Sequence, residues 1–263
     1  MLKLKTMKLI KSLMFMLLLS SAACAQPVSE SDKFLQDALS QPNLSRDELL
    51  PKFTAFDFSD IWMKNNSAVL GFIGDNYQRL NVKYLTIIKN SEKPAVYYVN
   101  GKSRVKNNVC QFMGKIEIIH IRKIEDPDKE QYYEAAKKNN DEEAMARFSK
   151  REYVLLARYT FFEDPNQHGS GVFEGVLKSN FYMDNGKIYY DDLNRESDGF
   201  SNNQCVGSWT SYASNVVKKC NWGEYRIPDS GDLDVGAGEF SPNEKYLENG
   251  WTNYKDALKK ENW

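Results

Sequence analysis

Catalysis needs bases, nucleophiles or metal ligands, and this chain offers few imidazoles but many carboxylates. Its two histidines are His120 and His168. His120 alternates with apolar residues in Ile116-Glu117-Ile118-Ile119-His120-Ile121, so it reads as a satisfied core residue of a strand rather than a base. His168 lies in the polar loop Pro165-Asn166-Gln167-His168-Gly169-Ser170-Gly171, next to Ser170. A Gly-x-Ser-x-Gly elbow is missing there, so nothing points to Ser/His hydrolysis. Cys110 reads as a small buried residue. No Cys-x-x-Cys or Cys/His ligand spacing marks a zinc site.

Carboxylates are the better enzymatic material. Glu174, Asp191, Asp192, Glu224 and Glu239 fall in or beside expected strands that are rich in aromatics. Two such acids flanking a sugar, with Trp or Tyr as platforms, would suit glycan hydrolysis. Asp232, Asp234 and Glu239 form an acidic, glycine-rich stretch with hard oxygen ligands, the chemistry of a calcium loop. The stretch misses the twelve-residue EF-hand spacing and reads more simply as a turn. The aromatics number five Trp, fifteen Tyr and fourteen Phe. Tyr190, Trp209, Trp222 and Tyr225 are the candidates to line a ligand site.

The N-terminus sets the expected compartment. Lys3, Lys5, Lys8 and Lys11 precede an uncharged run from Ser12 to Ala25, so residues 1–25 read as a secretory signal peptide. Ala23-Cys24-Ala25 fits ordinary cleavage before Gln26. The alternative is a lipobox, Ser21-Ala22-Ala23-Cys24, with Cys24 lipidated and the protein anchored. Cleavage removes four lysines and no acids, so 35 basic against 36 acidic residues become 31 against 36. That charge gives no reason to expect a nucleic-acid partner. No later run is long and apolar enough to suggest a transmembrane span. Export permits disulfides, and Cys205–Cys220, flanking an expected hairpin, is the best pair, provided a bulge corrects the register.

The elements that must hold these residues are mostly strands. Residues 26–33 read as a linker, and 34–263 as one domain. Leu44-Ser45-Arg46-Asp47-Glu48-Leu49 has the form of a capping box with its hydrophobic staple, predicting a helix after Ser45. Strand patterns then cover 69–73, 80–88, 95–99, 116–121, 152–162, 173–183, 187–193, 204–212 and 216–227. Asn100-Gly101 and Asn185-Gly186 both predict type I′ hairpin turns. Residues 126–150 break the pattern with helical spacing, and Asn139-Asn140-Asp141 should split this insert into two helices covering a sheet face or barrel mouth. A last helix is expected over Trp251–Lys260.

Val206-Gly207-Ser208-Trp209-Thr210 is similar to the Gly-x-Trp strand start of lipocalin- and avidin-type β-barrels. The leader with Gln26 behind it, and Cys220-Asn221-Trp222-Gly223-Glu224-Tyr225-Arg226-Ile227-Pro228, resemble exported β-rich proteins of Bacteroidota-type bacteria. Neither likeness transfers a functional residue. The expected fold is mainly β, α+β by content: an antiparallel β-barrel or two-sheet sandwich with an N-terminal helical cap and an inserted helical segment. The expected role is an exported binding protein for a small apolar molecule, a glycan or a protein, without a cofactor. The alternative is a carboxylate-dependent glycan hydrolase. An interior filled by side chains, with no cleft, would leave only protein interaction.

Overall fold

Alternating strands cannot bury one face alone, and here they do so by closing on themselves. The computed structural model describes residues 28–64 and 69–255. The expected signal peptide, Cys24, part of the expected linker and 256–260 of the last expected helix lie outside the described residues. Nine strands form one antiparallel sheet: β1 (Val69–Ile73), β2 (Gln78–Lys89), β3 (Val96–Val105), β4 (Asn108–Lys123), β5 (Arg151–Glu163), β6 (Gly171–Asp184), β7 (Lys187–Tyr190), β8 (Asn202–Ser211) and β9 (Val217–Glu224). The order is β5-β4-β3-β2-β1-β9-β8-β6, and pairing of β5 with β6 closes an eight-stranded barrel. The short β7 pairs only with the end of β6. The fold is therefore a barrel and not a sandwich.

One end of the barrel is stoppered. Helices α1 (Glu30–Leu39), α2 (Leu50–Phe53) and α3 (Ser59–Met63) precede the first strand. Phe53, Phe58, Ile61 and Trp62 join the barrel core directly. Trp62 is 1% exposed, and its indole meets Tyr97 edge-on at 4.9 Å. A buried polar chain fixes this plug. Trp62 Nε1 donates to Ser179 Oγ at 3.0 Å, and Ser179 donates to Asn203 Oδ1 at 2.7 Å. Asn203 Nδ2 then donates to the Ile61 carbonyl at 2.9 Å and to Glu224 Oε1 at 2.8 Å. Glu224 also accepts from the Tyr190 hydroxyl. Buried polar groups persist when paired, and pairing across elements fixes the plug's orientation.

Aromatic rings fill the middle. Phe112 and Phe161 stack at 4.9 Å, and Tyr159 meets Trp222 at 5.0 Å. An eight-stranded barrel is just wide enough for such packing. Two further apolar groups, the first of them rich in aromatics, lie outside. Phe240, Trp251 and Tyr254 cover Leu70 and Phe72 on the outer face of β1. Ala38 of α1, with Leu44, covers Val154 and Leu156.

Several expectations need correction. Asn100-Gly101 is not a turn, because β3 runs straight through it, paired on both sides. Gly101 is needed for space instead: a Cβ there would lie 2.3 Å from the Phe112 ring. Asn185-Gly186 does turn the chain, with φ of 48° and 74°. No helix follows Ser45. Helix α2 starts only at Leu50, with Pro51 in its first turn, where a missing N–H costs nothing. Glu48 accepts from the Leu50 amide at 3.0 Å and the Ile121 amide at 3.0 Å. Within the expected linker, Glu30 already begins α1, capped by Ser29. His120 is outside the core. A bulge between Ile118 and His120 turns it outward, where Nδ1 lies 2.7 Å from Glu48 Oε2.

The insert forms two helices, α4 (Lys129–Lys138) and α5 (Glu142–Phe148), broken at Asn139-Asn140 as expected. Joining β4 to β5, it sits at the stoppered end and does not cover the mouth.

Candidate functional site

The β1–β2, β3–β4, β5–β6 and β8–β9 connections all lie at the end opposite the plug, and there the interior opens. A cavity of about 400 Å³ is lined by Ile73, Gln78, Ser103, Glu163, Phe173 and Trp209, among others. Each of the eight barrel strands contributes a wall residue, since Val105, Asn108 and Lys218 complete the ring.

A buried carboxylate lines the cavity. Along β5 the inward positions are Tyr153, Leu155, Ala157, Tyr159 and Phe161, and Glu163 continues that series, 3% exposed. Ser103 Oγ donates to Oε1. The Gly171 amide and the Trp209 indole N–H donate to Oε2 at 2.8 and 2.9 Å. Burial pushes the Glu163 carboxyl up, against the downward pull of Ser103, Trp209 and Gly171. Gly171 leaves room for the indole, because a Cβ would come within 2.6 Å of the Trp209 ring. Lys218 Nζ lies 5.7 Å from the centre of that ring, a cation–π contact at the rim.

Loop contacts hold the rim. Asn108 Nδ2 donates to the His168 carbonyl at 2.9 Å, and the Gln111 amide donates to Gln167 Oε1 at 2.8 Å. Ser170 Oγ donates to the Gln167 carbonyl at 2.8 Å, so this hydroxyl is a loop brace. Cys110, directly across from Ser103, is a buried free thiol. Burial and the charge of Glu163 both push it up, away from thiolate chemistry.

The other expected residues are scattered. Trp209 lines the mouth, whereas Trp222 is packed in the mid-barrel core and Tyr190 anchors the plug with Glu224. Glu174 is exposed on the outer face. Tyr225 and Glu239 line a separate hollow of about 500 Å³ outside the barrel. Asp191 and Asp192 follow β7 at the stoppered end, where Asp192 pairs with Lys64 at 3.0 Å. The carboxylates of the suggested calcium loop are taken by cations of the chain. Arg226 pairs with Asp234 at 2.7 Å, and Lys245 pairs with Asp232. Among the described residues, no group of three or more His, Cys, Asp or Glu could hold a metal ion. Cys205 and Cys220 are free thiols, a correction to the expected disulfide. Cys205 faces Trp222 and Cys220 faces Gly207, so the two thiols sit diagonally across β8 and β9. Diagonal partners in a ladder are about 7–8 Å apart at Cα, beyond comfortable disulfide reach.

Glu163, Ser103, Gln78, Asn108, Lys106 and Lys218 were not singled out by the sequence reading. A usable signal existed: period two along β5 puts an acid at an inward position, which only a special environment tolerates.

Asp191 gives a testable pH dependence at the other end. Burial pushes its carboxyl up to about 6 from an ordinary 3.8, while the Leu193 amide opposes the shift and Glu152 and Asp192 add to it. A raised folded value means the fold binds the proton more tightly. The favourable contribution is full below about pH 4 and is lost as pH rises through 6. Asp191→Asn keeps the acceptor for Leu193 and cannot ionise. It should stabilise the fold by up to about 3 kcal/mol at neutral pH and by little at pH near 4. Urea midpoints at both pH values check this, and an equal effect at both would contradict it.

Comparison with family models, curated proteins and solved structures gives no match at all.

Proposed function

We propose that this chain is an exported binding protein whose ligand is a small molecule seated in the barrel mouth. One observation carries the reading: one end of the barrel is stoppered by Trp62 and its neighbours, while the other opens into a cavity walled by all eight strands. About 400 Å³ falls in the range of small-molecule sites, and the apolar side chains of Ile73, Val105, Phe173 and Trp209 share the wall with polar groups that can orient a ligand. The filled mid-barrel confines the ligand to the mouth, which favours a compact molecule over a long apolar chain. Among the described residues, Glu163 is the carboxylate that lines the cavity and no second one stands beside it, so the observations favour binding over glycan hydrolysis.

Val105, half-buried on the wall, can carry a larger side chain without entering the packed middle. Val105→Trp should fill the cavity and weaken fragment binding more than tenfold in calorimetry, with the melting temperature nearly unchanged. Fragments that bind the variant as tightly as the parent would place the site elsewhere. The export part of the reading rests on residues 1–25. N-terminal sequencing of protein recovered from the producing cell's envelope or medium should begin at Gln26, and a chain still starting at Met1 would count against export.

A further inference from the structure

Resting on the reading of the mouth as a ligand site, we infer that its ligand is a small amphipathic anion, with the acidic group at Lys106 and Lys218 and the apolar body against Trp209 and Phe173. The lining is unbalanced in charge. Lys106 and Lys218 are the lysines that border the cavity, and Glu163 is its one acid. Both lysines are exposed, and neither has a carboxylate partner among the described residues. Lys218 instead lies over Trp209, at the point where an apolar wall gives way to the rim. Lys106 sits in the two-residue connection between Val105 and Asn108 with φ of 54°. Asn or Gly would hold that backbone at less cost, so the local turn does not account for a lysine here.

Glu163 does not offset the lysines for an incoming cation. Its oxygens already accept from Ser103, Gly171 and Trp209, and it is buried at 3% exposure. An ammonium ligand would pass two lysines to reach an acceptor that is already satisfied. An anion meets the lysines first, at the rim, where its charge stays hydrated while its body enters the cavity. Ser103 and Glu163, both buried in the lining, are then open to a polar group of the ligand's body.

Three indole compounds of similar size separate the possibilities: indoleacetate as the anion, tryptophol as the neutral form and tryptamine as the cation. Calorimetry on the full mature chain at neutral pH should rank them in that order. Indoleacetate should bind about tenfold more tightly than tryptophol, as expected for two partly exposed charge contacts. The gap should shrink with added salt, because rim charges are screened. The double variant Lys106→Gln with Lys218→Gln should abolish the gap, so that indoleacetate binds no more tightly than tryptophol measured on the same variant. The salt series on the parent gives the same information if that variant folds poorly. Tryptophol or tryptamine binding as tightly as indoleacetate, lost in Val105→Trp, would overturn the anion preference and leave the mouth as a ligand site. Binding of none of the three would overturn both.

Discussion

Trp62→Ala is expected to destabilise the protein by about 3–5 kcal/mol, the range for removing a fully buried indole. Trp62 is 1% exposed and packs against Tyr97 and Phe58, with ring centroids at 4.9 and 6.4 Å. Its removal leaves a void at the stoppered end. It also breaks the first link of the chain from Trp62 through Ser179 and Asn203 to Glu224. The hydrophobic and polar losses add because the same side chain supplies both. Urea melts should show a lower midpoint with an unchanged slope. A loss below about 1 kcal/mol would mean that the helices merely rest on the barrel and do not close it.

Gly207→Ala should be comparably damaging, by a different route. A Cβ at Gly207 would lie 2.1 Å from the Glu174 carbonyl oxygen, 2.5 Å from the Tyr159 hydroxyl and 2.9 Å from the Gly175 Cα. Two of these are backbone atoms of the neighbouring strand, which can yield only by parting β6 from β8. A cost of about 3 kcal/mol or more is expected, lowering the melting temperature by roughly 6–12 °C in a domain of this size. Gly186→Ala is the control. Nothing lies within 4 Å of its Cβ position, and its φ of 74° alone sets the cost, about 1 kcal/mol. Equal effects at the two positions would contradict the close approach of β6 and β8.

The same glycine shows how far the sequence could be read. Gly207-Ser208-Trp209 stood out as a barrel-like strand, and both inward residues matter: Gly207 for strand contact, Trp209 for the mouth. The helical insert, its break at Asn139-Asn140 and the Asn185-Gly186 turn were legible because each depends on a few adjacent residues. Asn100-Gly101 misled for the same reason. Its dipeptide carries a turn preference, but the demand on Gly101 comes from Phe112 on the next strand, which no local pattern reveals. Pairing of β1 with β9, Val69 opposite Glu224, separates barrel from sandwich, and it too is non-local. His120 was misplaced by a bulge that inverts the period-two pattern between Ile118 and Ile121. At the site, Trp209 was legible as an aromatic on a strand. Glu163 went unnoticed because its meaning depends on Ser103, Gly171 and Trp209, which three other strands bring to it.

We propose that the open end of this barrel, rather than another surface, receives the ligand, and nuclear magnetic resonance mapping can locate it. Titration with a bound small molecule should move the Trp209 indole N–H and the Gly171 amide first, since both donate to Glu163 in the cavity lining. Trp62 and the amides around Asn203 should stay in place at the stoppered end. Shifts confined to the outer hollow beside Tyr225, or spread over the plug with Trp209 and Gly171 unmoved, would contradict the account.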